Sequence, residues 1–408
     1  MNSEIAKKNK TGEVMAHINR RHFLRWMGAG AFGLSIRKSL KSSSKEQNEA
    51  QEENPTLKIQ KYNDLGKTGL KVSDIGFGAI NYFNPNVLRY AYDLGINYFD
   101  TAEAYMRTMS ETYMGQALKE IRPEVIISTK HGIASLQEMK LEAIIQRIEG
   151  SLKRLQTDYI DIALIHQVSD TAVLENEEVL AAYDRLKKDG KVRFTGISTH
   201  LPEKMFLKLS ETDFCDVVLF IYNHLEGPSI EPLIQNIRTR GIGTIAMKAL
   251  AGNKQGSLRS FVNEQVKYSQ AALGWVLSNS HIDSCIITMN TFSHVEEYVA
   301  ASGKSLNRNS FATLSKYRNE AGGLYCRVSC RECLPSCPHG VAINDVLRCA
   351  MYYEDYRMEK GSIELYERIV QGEKPINCED CLAPCTGTCP FGIPIRERLL
   401  HAHRLLRA

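Results

Sequence analysis

Between residues 75 and 301, short apolar runs alternate with segments whose apolar residues recur at helical spacing. The apolar runs lie at 75–80, 97–101, 125–130, 160–166, 193–198, 217–223, 243–250 and 284–289. They are continuously apolar, as parallel strands covered on both faces should be. Helices are expected at 87–94, 111–120, 140–155, 175–188, 202–209, 231–240, 263–278 and 293–301. In the fourth of these, Val179, Leu180, Tyr183 and Leu186 fall on one helical face. Eight strand–helix units over about 240 residues fit a (β/α)8 barrel, which typically takes about 250. A doubly wound open sheet competes, but no G-x-G-x-x-G follows the first run. Ahead of the first unit, LGKTGLKVS (65–73) carries glycine turn chemistry between short extended pieces and predicts a hairpin.

Several runs end on reactive groups. Asp100 ends the second, with Tyr105 five residues on; Lys130 ends the third and His166 the fourth. Each has an ordinary role when taken alone: a helix cap, loop packing, a solvated lysine, a core histidine. In a (β/α)8 barrel the active site lies where the strands end. Four such groups at that end of successive strands therefore predict a pocket.

The 408 residues exceed this barrel, and the flanks differ from it in composition. The net charge of +4 is uneven: residues 1–41 hold nine Lys/Arg against two Glu. The remainder is slightly acidic, which argues against a nucleic-acid partner. Asn19-Arg20-Arg21 precedes a mild apolar stretch at 26–36, too short and Gly-rich for a transmembrane helix. The segment 1–38 is similar to a twin-arginine export signal, with Met15 an alternative start. The expected location is the periplasm or cell envelope; a disordered basic tail on a cytoplasmic protein is the alternative. Residues 39–56 are polar, aperiodic and read as a disordered linker. The barrel is assigned to 57–315 and a C-terminal domain to 316–408.

Nine of the eleven cysteines fall between Cys326 and Cys389, which reads as metal binding and not as a secreted disulfide scaffold. Cys326, Cys330, Cys333 and Cys337, followed by Pro338, form one run. Cys378, Cys381, Cys385 and Cys389, followed by Pro390, form another. Each matches the ferredoxin run C-x2-C-x2-C-x3-C-P except for one lengthened spacer. The expectation is two [4Fe–4S] clusters, with Cys389 joining the first three thiols and Cys337 the second three; paired zinc sites are the alternative. Cys215, Cys285 and Cys349 read as core thiols. Helices are expected at 344–358, 362–370 and 395–406.

LGKTGLKVSDIGFGA (65–79), GINYFDTAEAY (95–105), VIISTK (125–130), DYIDIALIH (158–166) and GKVRFTGIS (190–198) resemble the aldo-keto reductase family. The C-terminal cysteine runs resemble the members of that family with a helical ferredoxin-type domain. The resemblance implies a (β/α)8 barrel acting on a small-molecule carbonyl or alcohol. It implies a catalytic set of Asp100, Tyr105, Lys130 and His166, with NADP or NAD held by residues including Ser198, Asn223 and Lys248. The residue types suit the chemistry. A phenol gives a proton to a developing alkoxide, an ammonium ion makes it more acidic, a carboxylate holds the ammonium, and an imidazole orients the carbonyl. The chain departs from the family pattern at Leu219, usually Gln, at Met247, usually aromatic, and at Met106, usually Gly. With the clusters, the expected whole is an oxidoreductase carrying an electron-transfer domain and able to meet a redox protein partner. A non-enzymatic electron-transfer or binding module on a retained barrel is the alternative.

Overall fold

A computed structural model describes residues 57–82, 84–132, 137–252 and 266–407. The segments 1–38 and 39–56, and with them the expected export signal and linker, lie outside the described residues.

The chain opens with a hairpin, β1 (Tyr62–Asp64) against β2 (Lys71–Ser73), antiparallel with Tyr62 opposite Ser73. Eight parallel strands follow: β3 (Ile75–Gly78), β4 (Tyr98–Asp100), β5 (Ile126–Gly132), β6 (Ile160–His166), β7 (Val192–Thr199), β8 (Val217–Ile221), β9 (Gly243–Met247) and β10 (Ser284–Thr288). They pair in sequence order, and β10 pairs with both β9 and β3, so the sheet closes on itself. An open doubly wound sheet is thereby excluded. A helix follows each strand: α1 (Pro85–Asp93), α2 (Met109–Leu118), α3 (Leu141–Leu155), α4 (Glu177–Lys188), α5 (Pro202–Leu209), α6 (Glu231–Thr239), α7 (Tyr268–Ser278) and α8 (Phe292–Val299).

Local chemistry accounts for the boundaries. Asn176 caps α4 by accepting from Val179 N–H, two glutamates occupy its first turn and three cations its last. The run 217–223 stops as a strand at Ile221 because Asn223 turns the chain, its Oδ1 accepting from Leu225 and Glu226 N–H. The run 243–250 stops at Met247, and Lys248 follows with φ 58°. The start of the helix expected at 263–278 lies outside the described residues, and α7 begins at Tyr268.

Inside the barrel, Tyr98, Ile126, Ile162, Leu164, Val217, Leu219 and Ile245 pack as one cluster with Leu65, Leu70 and Val72 of the hairpin region. Leu65 approaches so closely that a Cβ on Gly243, the first residue of β9, would stand 2.7 Å from it. The hairpin thus plugs the end where strands begin and leaves the end where they finish for chemistry. The larger core lies between strands and helices. Gly115 lets α2 meet α3 there, since a Cβ would stand 2.6 Å from the Leu155 backbone.

The C-terminal region is helical: α9 (Arg308–Ala321), α10 (Ile343–Glu354), α11 (Glu359–Glu367), α12 (Pro384–Gly387) and α13 (Ile395–Leu406). Helix α9 runs through residue 315 and stacks Tyr317 on Tyr268 of α7, ring centroids 3.8 Å apart. The ferredoxin-like iron–sulfur domain expected here is corrected. Among the described residues, no group of three or more His, Cys, Asp or Glu side chains could hold a metal ion. Cys333, Cys349, Cys378 and Cys385 instead pack with Val341, Ile343, Val346, Ile393, Ile395 and Leu399 in a second hydrophobic core, with Cys326, Cys337 and Cys389 partly buried against it.

Candidate active site

The strand ends place their polar groups in one buried cluster. Asp100 closes β4, Lys130 lies in β5, and each is 1% exposed. Lys130 Nζ donates to Asp100 Oδ1 at 2.6 Å and to the Thr101 carbonyl at 2.5 Å. The other carboxylate oxygen of Asp100 accepts from Ser128, whose oxygen accepts from Tyr98 OH at 3.0 Å. Burial pushes the Asp100 carboxyl up and the Lys130 ammonium down, and each is opposed by the charge of the other.

Tyr105 sits above this pair, with Lys130 Nζ 4.8 Å from its ring centroid. The His166 ring meets it edge-on at 5.6 Å. Burial, then the negative charge of Asp100, then Tyr352 hold the Tyr105 phenol well above its ordinary range. His166 is pushed down to about 3 by burial and by the charges of Lys130, His131 and Lys248. Its imidazole is therefore neutral at pH 7 and has one N–H to donate. Met106, Arg107 and Thr108, directly after Tyr105, all have positive φ, at 50°, 54° and 74°. That conformation favours glycine, the residue usual at 106 in the resembled family. A tether holds the turn, since Arg107 pairs with Glu364 of α11.

Further out, Glu111 is fully buried and accepts from Thr129 at 2.5 Å and from Arg154 at 2.6 Å, tying α2 to β5 and α3. Ser198 Oγ accepts from Gln167 N–H at 2.8 Å. Asn223 gives its amide to Glu226 and to the Lys248 carbonyl. Lys248, half-buried at the rim, donates to Tyr352 OH at 2.7 Å. Leu219 is buried inside the barrel, with no polar group to offer.

These positions bring Asp100, Tyr105, Lys130 and His166 together with Lys248, while Asn223 is spent on its own turn. The sequence reading missed Ser128 and Tyr352. Ser128 had a signal, lying two residues before Lys130 on the same strand face. Tyr352 had only its place in a helix between cysteine runs.

The barrel matches known proteins. The model of the Aldo/keto reductase family matches residues 81–266, which include all four residues. L-galactose dehydrogenase of Arabidopsis thaliana is 33% identical over 276 residues, 58% of this chain and 86% of that protein. The chain belongs to the aldo/keto reductase family. It is an aldo/keto oxidoreductase, and the non-enzymatic module gives way to an enzyme. L-glyceraldehyde 3-phosphate reductase of Escherichia coli is 27% identical over 62% of this chain and 89% of its own. An aldo-keto reductase from Klebsiella pneumoniae, solved in complex with NADPH, is 26% identical with a TM-score of 0.53, covering 63% of this chain and 95% of that one.

The C-terminal thiols do gather. Cys326, Cys330, Cys333 and Cys389 line one small apolar cavity with Ile343 and Leu347. The charges of Cys337, Cys381 and Cys385 bear on Cys378. All are free thiols. Burial, followed by neighbouring cysteines, pushes Cys326 up to about 12 and Cys333 and Cys378 up to about 11. With no group among the described residues that could hold a metal ion, the two [4Fe–4S] clusters, the zinc alternative and the electron-transfer domain built on them are corrected. So is placement in the ferredoxin-bearing subgroup.

Proposed function

We propose that the enzyme interconverts a small-molecule carbonyl and its alcohol with NADP(H), with Tyr105 as proton donor. One observation carries this reading: the buried Lys130–Asp100 contact at 2.6 Å beneath the Tyr105 ring, with His166 at the edge of the ring. The Klebsiella relative solved with NADPH supports the choice of cofactor.

The residues present fit that cofactor. Ser198 keeps its hydroxyl proton to donate, and Lys248 offers a positive charge that no carboxylate among the described residues neutralises. Bound NADPH supplies the hydride. His166 donates its N–H to the carbonyl oxygen and orients it. As negative charge develops on that oxygen, Tyr105 passes it the phenolic proton. The resulting phenolate is stabilised by Lys130, which Asp100 holds in place. In the alcohol-to-carbonyl direction the phenolate takes the proton back.

Titrating NADPH and NADP⁺ by fluorescence, then following absorbance at 340 nm with aldoses and short aldehydes, tests the reading. Tight NADPH binding with oxidation dependent on an aldehyde is expected. Failure of both nucleotides to bind would overturn it.

A further inference from the structure

The end of the barrel where the strands finish is roofed by the C-terminal region. Glu226, in the loop after β8, accepts from Tyr325 OH at 2.7 Å and from Val328 N–H at 2.6 Å. Asn81, just after β3, donates to the Tyr356 carbonyl at 3.4 Å. The Arg107–Glu364 pair adds a third tether, beside Tyr105. Helix α10 is thereby fixed over the site. It presents Arg348 and Tyr352, four residues apart and so on one face.

Tyr352 lies beneath Lys248, with Nζ 4.9 Å from its ring centroid and 2.7 Å from its hydroxyl. Arg348 pairs with Asp345, which stands toward solvent on the preceding turn. The carboxylates nearest the rim are engaged elsewhere: Asp100 below with Lys130, and Glu226 with Tyr325, Asn223 and Val328. Lys248 thus has no carboxylate partner among the described residues, and the partner of Arg348, Asp345, is half exposed and can be exchanged for a ligand anion. The charges of Lys248 and Arg348 help hold His200, at the same rim, well below its ordinary value, after burial.

Resting on the carbonyl-reductase reading above, we propose that α10 is the outer wall of the substrate pocket. Arg348 and the Tyr352–Lys248 contact select a carbonyl substrate that carries its own negative charge, as a carboxylate or phosphate. Arg348 meets the charged end, and Tyr352 is the positioning residue that keeps Lys248 turned inward. A phosphate of a bound cofactor would answer the same cations, so the test separates the two.

Succinic semialdehyde and butanal have the same four-carbon chain and differ by one carboxylate. The full chain is assayed with both, and its NADPH affinity is measured in parallel. The wild type is expected to favour the charged aldehyde in kcat/KM by at least about tenfold. Arg348→Gln removes most of that ratio and Arg348→Lys restores it. Tyr352→Phe lowers the ratio through KM more than kcat. A wild-type ratio near one, a ratio unmoved by Arg348→Gln, or a change confined to NADPH affinity would each overturn the proposal. Succinate, titrated calorimetrically onto the protein, reads the same wall without turnover. Binding lost in Arg348→Gln, in a protein that reduces neither aldehyde, keeps the anionic wall and refutes the reductase reading. Absence of succinate binding at millimolar concentration refutes the wall.

Discussion

Two lysines face two phenols across the same barrel rim, and their surroundings differ. Lys130 is sealed from solvent and bonded to Asp100 beneath Tyr105. Lys248 is half-buried and bonded to a neutral hydroxyl, that of Tyr352. The first is a charge fixed by its counter-ion and useful for stabilising a phenolate that forms and disappears. The second has no carboxylate partner among the described residues. On the proposed mechanism the same pair of residue types would serve chemistry at one place and recognition at the other, with burial as the difference between them.

Substitution at the two lysines should separate those roles. Lys130→Met is expected to lower turnover by about 10²–10⁴-fold, the usual range for losing assistance to a proton transfer. Lys248→Met should act on the KM for NADPH and on selection of charged substrates, with kcat at saturation much less affected. Steady-state kinetics on one aldehyde checks both. Equal losses of kcat in the two variants would erase the distinction.

Stability should divide in the same way. Asp100→Asn strands the buried ammonium of Lys130 and is expected to cost about 3–5 kcal/mol in chemical denaturation. Lys248→Met has no buried partner charge to strand and should stay within about 0.5 kcal/mol of wild type.

His166 feels the charge of both lysines, and its acidity is a third contrast. His131, His166 and His224 are each held down to about 3 by burial and neighbouring cations. The unfolded chain binds protons at these histidines near pH 6.5, while the folded chain does not. Their contribution is fully present above pH 6.5 and is lost as the pH falls from there toward 3. Melting temperatures measured across that window should decline, and His166→Asn should flatten the decline.

The smallest expected effect lies at the turn beside Tyr105. Met106→Gly relieves a positive φ of 50° but frees the unfolded chain, so the net gain should be about 1 kcal/mol or less. Thermal melting reads it, and a loss of stability would mean that packing of the Met106 side chain outweighs the strain.

Most of the barrel was legible in the sequence because parallel strands and their covering helices impose different periods on the apolar residues. The errors fall where a single side chain overrides the pattern. Asn223 ends β8 early by turning its own loop, and a left-handed Lys248 ends β9. Tyr105 and the three residues around it were legible because strand ends share one rim. Tyr352 was not, because it reaches Lys248 across 104 positions and no local spacing encodes that contact. The cysteine spacing carried a ferredoxin expectation that the structure does not uphold. The thiols converge, and Cys333, Cys349, Cys378 and Cys385 do so inside an apolar core, but no group among the described residues could hold a metal ion.

Tyr105 is the proposed proton donor, and a single-turnover experiment tests that role most directly. Wild type and Tyr105→Phe, each loaded with NADPH, are mixed with an aldehyde, and the loss of absorbance at 340 nm is followed. If Tyr105 gives the proton, NADPH affinity stays within about twofold in the two proteins and the rate is at least about 10²-fold slower in Tyr105→Phe. Equal rates would contradict it.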